Sequence, residues 1–234
     1  MSNGTVEPSD MLQVLLAATP DKRRSEVQGV FNEKGYTEAV GYLWENVLDT
    51  ESKLEAEHAV GSHDSENKYY KLLVTDFNIK QHFSQVCSHR KFVKKAYFKL
   101  RPYLNYMKAD DAEKHDLSKF MLAQAVGYTA RWVHNTDNAS WQTALNHHYC
   151  NEPHHPEYYK NKDGVKERME ARYLEESLVD MAGSRWERQL QGREDVSLED
   201  LVDFNPVYLK RYHPEDKEIV LELIKDIQDN PAKQ

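Results

Sequence analysis

The chain has 234 residues, 30% of them charged and 39% apolar, with a formal net charge of −8. That is enough length and apolar content for a sizeable core, and it excludes a disordered or fibrous protein. The negative balance argues against general nucleic-acid binding, and the longest apolar run, V-L-L-A-A from Val14, is far too short to span a bilayer.

Two cysteines, Cys87 and Cys150, lack C-x-x-C spacing, so reduced thiols rather than a disulfide framework are expected. The start M-S-N-G-T-V-E-P-S-D carries no secretory pattern, and a cytoplasmic location is the expectation. The densest basic stretch, R-K-F-V-K-K-A-Y-F-K from Arg90, reads as the solvated face of a helix.

Residues 1–9 read as a mobile tail and 10–66 as a helical N-terminal extension. Met11–Ala18 is apolar and should pack. Lys22–Lys34 places Val27, Val30 and Phe31 at helical spacing, and Thr37–Ala56 opens on a plausible capping threonine and carries Leu43, Trp44, Val47 and Leu48. The polar run from Glu57 reads as a linker, with the pair His63-Asp64 inside it and the main domain starting near Asn67.

From Tyr69 to Leu100 apolar residues recur every three to four positions, and Val86, His89, Val93 and Ala96 share one face, so His89 points inward. Taken alone, an inward histidine is more often a satisfied core residue than a ligand. His82, one heptad earlier, is the competing candidate. Pro102 ends this helix, and His115-Asp116 stands at the entrance to the next, Leu117–Val133. Lys119 returns to the side of that pair, where an ammonium can neutralise charge or grip an anionic or carbonyl oxygen.

A break at Asn135–Asn138 precedes a helix over Ser140–Tyr149 that His147 and His148 close, followed by His154, His155 and Glu157 around Pro156. After a surface loop from Lys160, a helix over Lys166–Gln189 carries Asp180 near its apolar stripe, with Glu176 one turn earlier. A buried carboxylate needs a partner, for which a metal is the obvious choice. Residues 191–234 read as a C-terminal helical extension packed on a core spanning 67–190. Nothing alternates as strands do, so the fold class is all-α.

Eight of the eleven histidines lie between His82 and His155. Histidine is the commonest metal ligand, and an adjacent aspartate can bind one ion or bridge two with its two oxygens. The ordered set H…HD…H…H…D, filled by His89, His115, Asp116, His148, His155 and Asp180, resembles the HD-domain superfamily of metal-dependent enzymes. More distantly it is similar to its dinuclear members such as myo-inositol oxygenase. The segments H-R-K-F-V, H-D-L-S-K-F, N-H-H-Y-C-N…H-H-P-E-Y and E-E-S-L-V-D-M together resemble an uncharacterised HD-like family of unknown function, over roughly residues 68 to 190.

That resemblance implies an HD-like helical bundle holding one or two divalent transition ions (Fe, Mn, Zn, Co or Ni). The quartet His89, His115, Asp116 and Asp180 is the safer transfer. The second ion is less secured, because its two histidines lie only seven residues apart. The implied activity is a phosphohydrolase acting on a small anionic or nucleotide substrate, with Lys119 gripping the phosphate and one of His147, His154 or Glu157 as general acid or base. A dinuclear iron oxygenase and a non-catalytic metal-binding module are the alternatives. No nucleic-acid or membrane partner is expected, and the N-terminal helices either cap the pocket or form a homodimer.

Overall fold

The computed structural model describes residues 7–231. They form twelve α-helices with short 3-10 and π turns between them, and among the described residues no strand occurs beyond one isolated antiparallel bridge, Lys160 to Lys166. The all-α expectation holds. The chain forms two compact units, each built from two separate stretches: Met1–Ser84 with Ser118–His147, and Gln85–Leu117 with His148–Gln234. The expected core over 67–190 therefore contributes to both units.

In the first unit, α1 (Pro8–Ala18) opens with proline at its first position, where the missing N–H costs nothing. The expected tail falls mostly outside the described residues, but its last two positions already belong to this helix. Gly35, at φ +87°, ends α2 (Arg24–Lys34) and starts α3 (Tyr36–Tyr42), so Thr37 lies inside a helix and caps nothing.

The single helix expected over Thr37–Ala56 is interrupted. A π turn over Leu43–Val47 and extended Leu48 precede α4 (Thr50–Ser62), which Asp49 caps by accepting from the Ser52 amide at 2.9 Å. The expected linker from Glu57 is mostly helix. Its polar composition hides Ala59, which is buried, and the helix stops only where His63 takes a left-handed conformation.

Short α5 (Lys68–Tyr70) runs into a second π turn, Lys71–Asp76, and left-handed Asn78 separates it from α6 (Ile79–Leu100). Leu15, Val27, Val40, Leu43, Leu72 and Phe77 form this unit's core with Leu122 and Val126 of α8 (Leu122–Trp132). Gly127 lets α8 approach α9 (Ala139–Asn151) backbone to backbone, since a Cβ there would lie 2.2 Å from the Ser140 carbonyl oxygen. The helix expected over Leu117–Val133 is also divided. Leu117–Phe120 is a 3-10 turn, and extended Met121 restarts the chain as α8.

The second unit holds the C-terminal part of α6, then α7 (Ala109–Lys114), α10 (Ala171–Arg188), α11 (Leu198–Val202) and α12 (Pro214–Asp229). Val93, Ala96 and Leu100 of α6 pack with Leu178, Val179 and Ala182 of α10, and Leu201, Val220 and Ile227 close the core.

Two buried acids brace the unit. Glu175 accepts from the amides of Asn105, Tyr106 and Met107 at 2.7–2.9 Å, and Asp216 accepts from the Met169 amide at 2.8 Å and pairs with Arg168. The hold on Arg168 and Met169 explains why α10 begins at Ala171 rather than Lys166: those residues are drawn out of helical geometry by charged hydrogen bonds from another helix. No helix among the described residues is long and apolar enough to cross a membrane.

Candidate metal centre

Every clustered donor comes from the second unit. His89 rises from α6 one turn before Val93, and is buried as its helical face requires. His115 and Asp116 follow the end of α7, where Arg90 donates to the carbonyl oxygens of His115 (2.8 Å) and Glu113. Asp116 itself adopts φ +58°, a left-handed conformation that aspartate tolerates better than most residues. His148 lies in the last turn of α9, His154 and His155 occupy the turn after it, and Asp180 projects from α10.

These side chains converge around the two oxygens of Asp116. Its Oδ2 lies 3.3 Å from His89 Nε2 and 3.5 Å from His115 Nε2, while Asp180 Oδ1 lies 3.1 and 3.5 Å from the same two nitrogens. Its Oδ1 lies 3.4 Å from His148 Nε2 and 3.6 Å from His154 Nε2, and His155 Nε2 is 2.8 Å from His148 Nε2. Two ligands on one ion, with bonds near 2.1 Å, stand about 3.0 Å apart at right angles and about 3.4 Å apart at tetrahedral angles.

The observed separations cluster there. Most are long for hydrogen bonds, and His115 Nε2 is fully buried with no hydrogen-bond partner. Such an orphaned nitrogen is costly unless something else occupies its lone pair. Asp116 with His148, His154 and His155, and Asp116 with His89 and His115, are therefore groups that could hold a metal ion; His115, His154 and Asp180 form a third, overlapping group.

The electrostatics point the same way. Burial opposes a charge on His89, but Asp116, Asp180 and Glu187 outweigh it and raise the imidazolium pKa to about 9. For His115, burial is likewise overcome, by Asp116, Asp180 and Glu176, and the pKa rises to about 10. Asp180 is held far below the usual carboxylate range despite burial, by His115 and His89. The carboxylates thus demand positive charge inside a dry cluster, and protons or a cation can supply it. Only Asp180 keeps appreciable exposure, 18% of its side chain, against 9% or less for its partners, so the cluster opens on that side.

The remaining candidates, Glu157, Lys119 and His147, are not among these donor groups. Glu157 receives both arms of Arg211 at 2.6 and 2.8 Å; burial raises its pKa, the guanidinium outweighs this, and the carboxylate is held ionised. Lys119 and His147 belong to the first unit. There Lys119 Nζ lies over the Tyr128 ring, and exposed His147 receives a contact from Gln124 at 3.2 Å. His82, also in the first unit, is a packed histidine stacked on Tyr128 with Nε2 3.1 Å from the Lys119 carbonyl oxygen. His63-Asp64 is exposed.

Sequence reasoning passed over Glu187, whose Oε2 lies 3.7 Å from His89 Nδ1, and over Arg90. Glu187 was findable, since it stands seven residues after Asp180 and so on the same helical face. Arg90 opens a dense basic stretch whose spacing points to a solvated face, which masks its role.

No curated protein and no solved structure matches the chain. Residues 78–226 match the Family of unknown function (DUF5662), a stretch that covers well over half of the sequence and contains every donor of the cluster; the chain belongs to that family.

Proposed function

We propose that this chain is an HD-type metal-dependent hydrolase that cleaves a small phosphorylated substrate. The observation that carries the reading is the division of labour at Asp116, whose two oxygens face different histidine sets. His89, His115, Asp116 Oδ2 and Asp180 would hold one ion; Asp116 Oδ1, His148, His154 and His155 would hold a second. A divalent ion in such a site supplies Lewis acidity toward a phosphoryl oxygen and brings the pKa of coordinated water down toward neutrality.

The chain's own residues do the rest. Five buried imidazoles and two carboxylates form a donor set of nitrogen and oxygen without thiolate, suited to ions such as Mn, Fe, Co, Ni or Zn. The buried histidines keep bulk water away from the donors, and the partly exposed Asp180 marks where a substrate reaches the cluster. Glu157 is tied to Arg211 and is not the proton donor in this reading.

The test is metal analysis after anaerobic purification, followed by a phosphatase screen over nucleotides and sugar phosphates with each divalent ion. One or two ions per chain with phosphate release supports the reading, and Asp116→Ala should abolish both. Two irons with a mixed-valence spin-resonance signal and no phosphate release would replace it with an oxygenase. Metal content that survives Asp116→Ala would remove the centre altogether.

A further inference from the structure

Glu176 stands on α10 one turn before Asp180 and is buried behind the donor cluster rather than in it. His115 Nδ1 donates to its Oε1 at 3.0 Å, and the same oxygen lies 3.6 Å from His154 Nδ1. The rings of these two histidines are 4.4 Å apart, centroid to centroid. Their Nε2 atoms turn the other way: His115 toward Asp116 Oδ2, His154 toward Asp116 Oδ1. One carboxylate oxygen therefore backs one histidine from each of the two donor groups.

A carboxylate behind a ring nitrogen does two things. It fixes the proton on Nδ1, which leaves the Nε2 lone pair free, and it sets the angle of the ring. We infer that Glu176 is a positioning residue that orients His115 and His154 together. The inference rests on the metal-binding reading above.

Glutamine is the informative replacement. A glutamine at 176 has one acceptor oxygen and one NH2 group, and keeps nearly the same volume. Its oxygen can still face both Nδ1 atoms, but it carries no charge to strengthen either bond.

The experiment is a zinc titration by calorimetry on the full chain, wild type beside Glu176→Gln, with helical content and thermal stability of both metal-free proteins recorded first. The expected result is an unchanged fold and a 10- to 100-fold loss of zinc affinity, the range typical of removing a ligand's supporting partner. Affinity equal to wild type would overturn the inference. Failure of the wild type itself to bind zinc, manganese or iron would instead bring down the metal reading, which keeps the two failures distinct. Should Glu176→Gln not fold, nitrogen-15 spectra of the zinc-loaded wild type decide: Nδ1 protons on both His115 and His154, protected from solvent exchange, support the inference, and a freely exchanging proton at either overturns it.

Discussion

Replacing Gly183 with alanine tests the centre through its scaffold. Gly183 lies on α10 three residues after Asp180, against Val93, which lies on α6 four residues after His89. A Cβ at 183 would sit 2.7 Å from Val93 Cα and 2.8 Å from its amide nitrogen, about 0.7 Å inside ordinary contact at 3.4 Å. Those are backbone atoms and cannot rotate away, so the helices must part by roughly that distance. Overpacking costs about 1–3 kcal/mol, while alanine in place of glycine within a helix returns about 1 kcal/mol, so the net loss of stability is modest.

The candidate cation site suffers more. The 3.1 Å between His89 Nε2 and Asp180 Oδ1 would widen to about 3.8 Å, beyond every donor separation now present around Asp116 and well past the roughly 3.4 Å of an ideal tetrahedral pair. Urea unfolding in chelator should show a loss of no more than about 2 kcal/mol by that balance, and zinc titration a drop in affinity of about tenfold or more. Gly183→Ala protein that binds zinc as tightly as the wild type would refute the reasoning.

His148→Ala should lose metal, whereas His147→Ala should retain full metal content, because only the first imidazole is buried in the cluster; plasma emission analysis of dialysed proteins distinguishes them. His89 and His115 have pKa values of about 9 and about 10 in the metal-free protein, above the ordinary 6.5, so both hold protons at pH 7 that a metal must displace. Zinc affinity should therefore rise between pH 6.5 and 9, with proton release visible by calorimetry in buffers of different ionisation heat; an affinity flat over that range would contradict the assignment.

In chelator the same raised values work the opposite way. The stability they confer is complete below pH 6.5 and is lost as pH climbs through 9 to 10, so thermal midpoints of the metal-free protein should fall over that interval. Arg90→Met removes two charge-assisted bonds to the carbonyls ahead of Asp116, and about 1.5–3 kcal/mol of unfolding free energy should go with each lost partner at most; a denaturation midpoint unmoved from wild type would show that the turn does not need it.

Periodicity carried the fold a long way. Val86, His89, Val93 and Ala96 lie on one buried face as their spacing requires, and the residue types at 115, 116 and 180 announced a charged cluster before any geometry was known. What stayed hidden was set by contacts distant in sequence. Asp216, 47 residues from Met169, decides where α10 begins. The π turns at Leu43–Val47 and Lys71–Asp76 have no local signature, since both read as ordinary helix. Which of His147 and His148 turns inward depends on the rotation of α9, which no pattern of two adjacent histidines can fix.

The left-handed backbone at Asp116 narrows what can ever stand there. Asparagine would preserve the bend but surrender the negative charge; glutamate would preserve the charge but strain the bend and reach too far; glycine would relax the bend and leave nothing to bind with. Conformation and chemistry thus impose separate demands on a single position, and of the twenty amino acids only aspartate meets both.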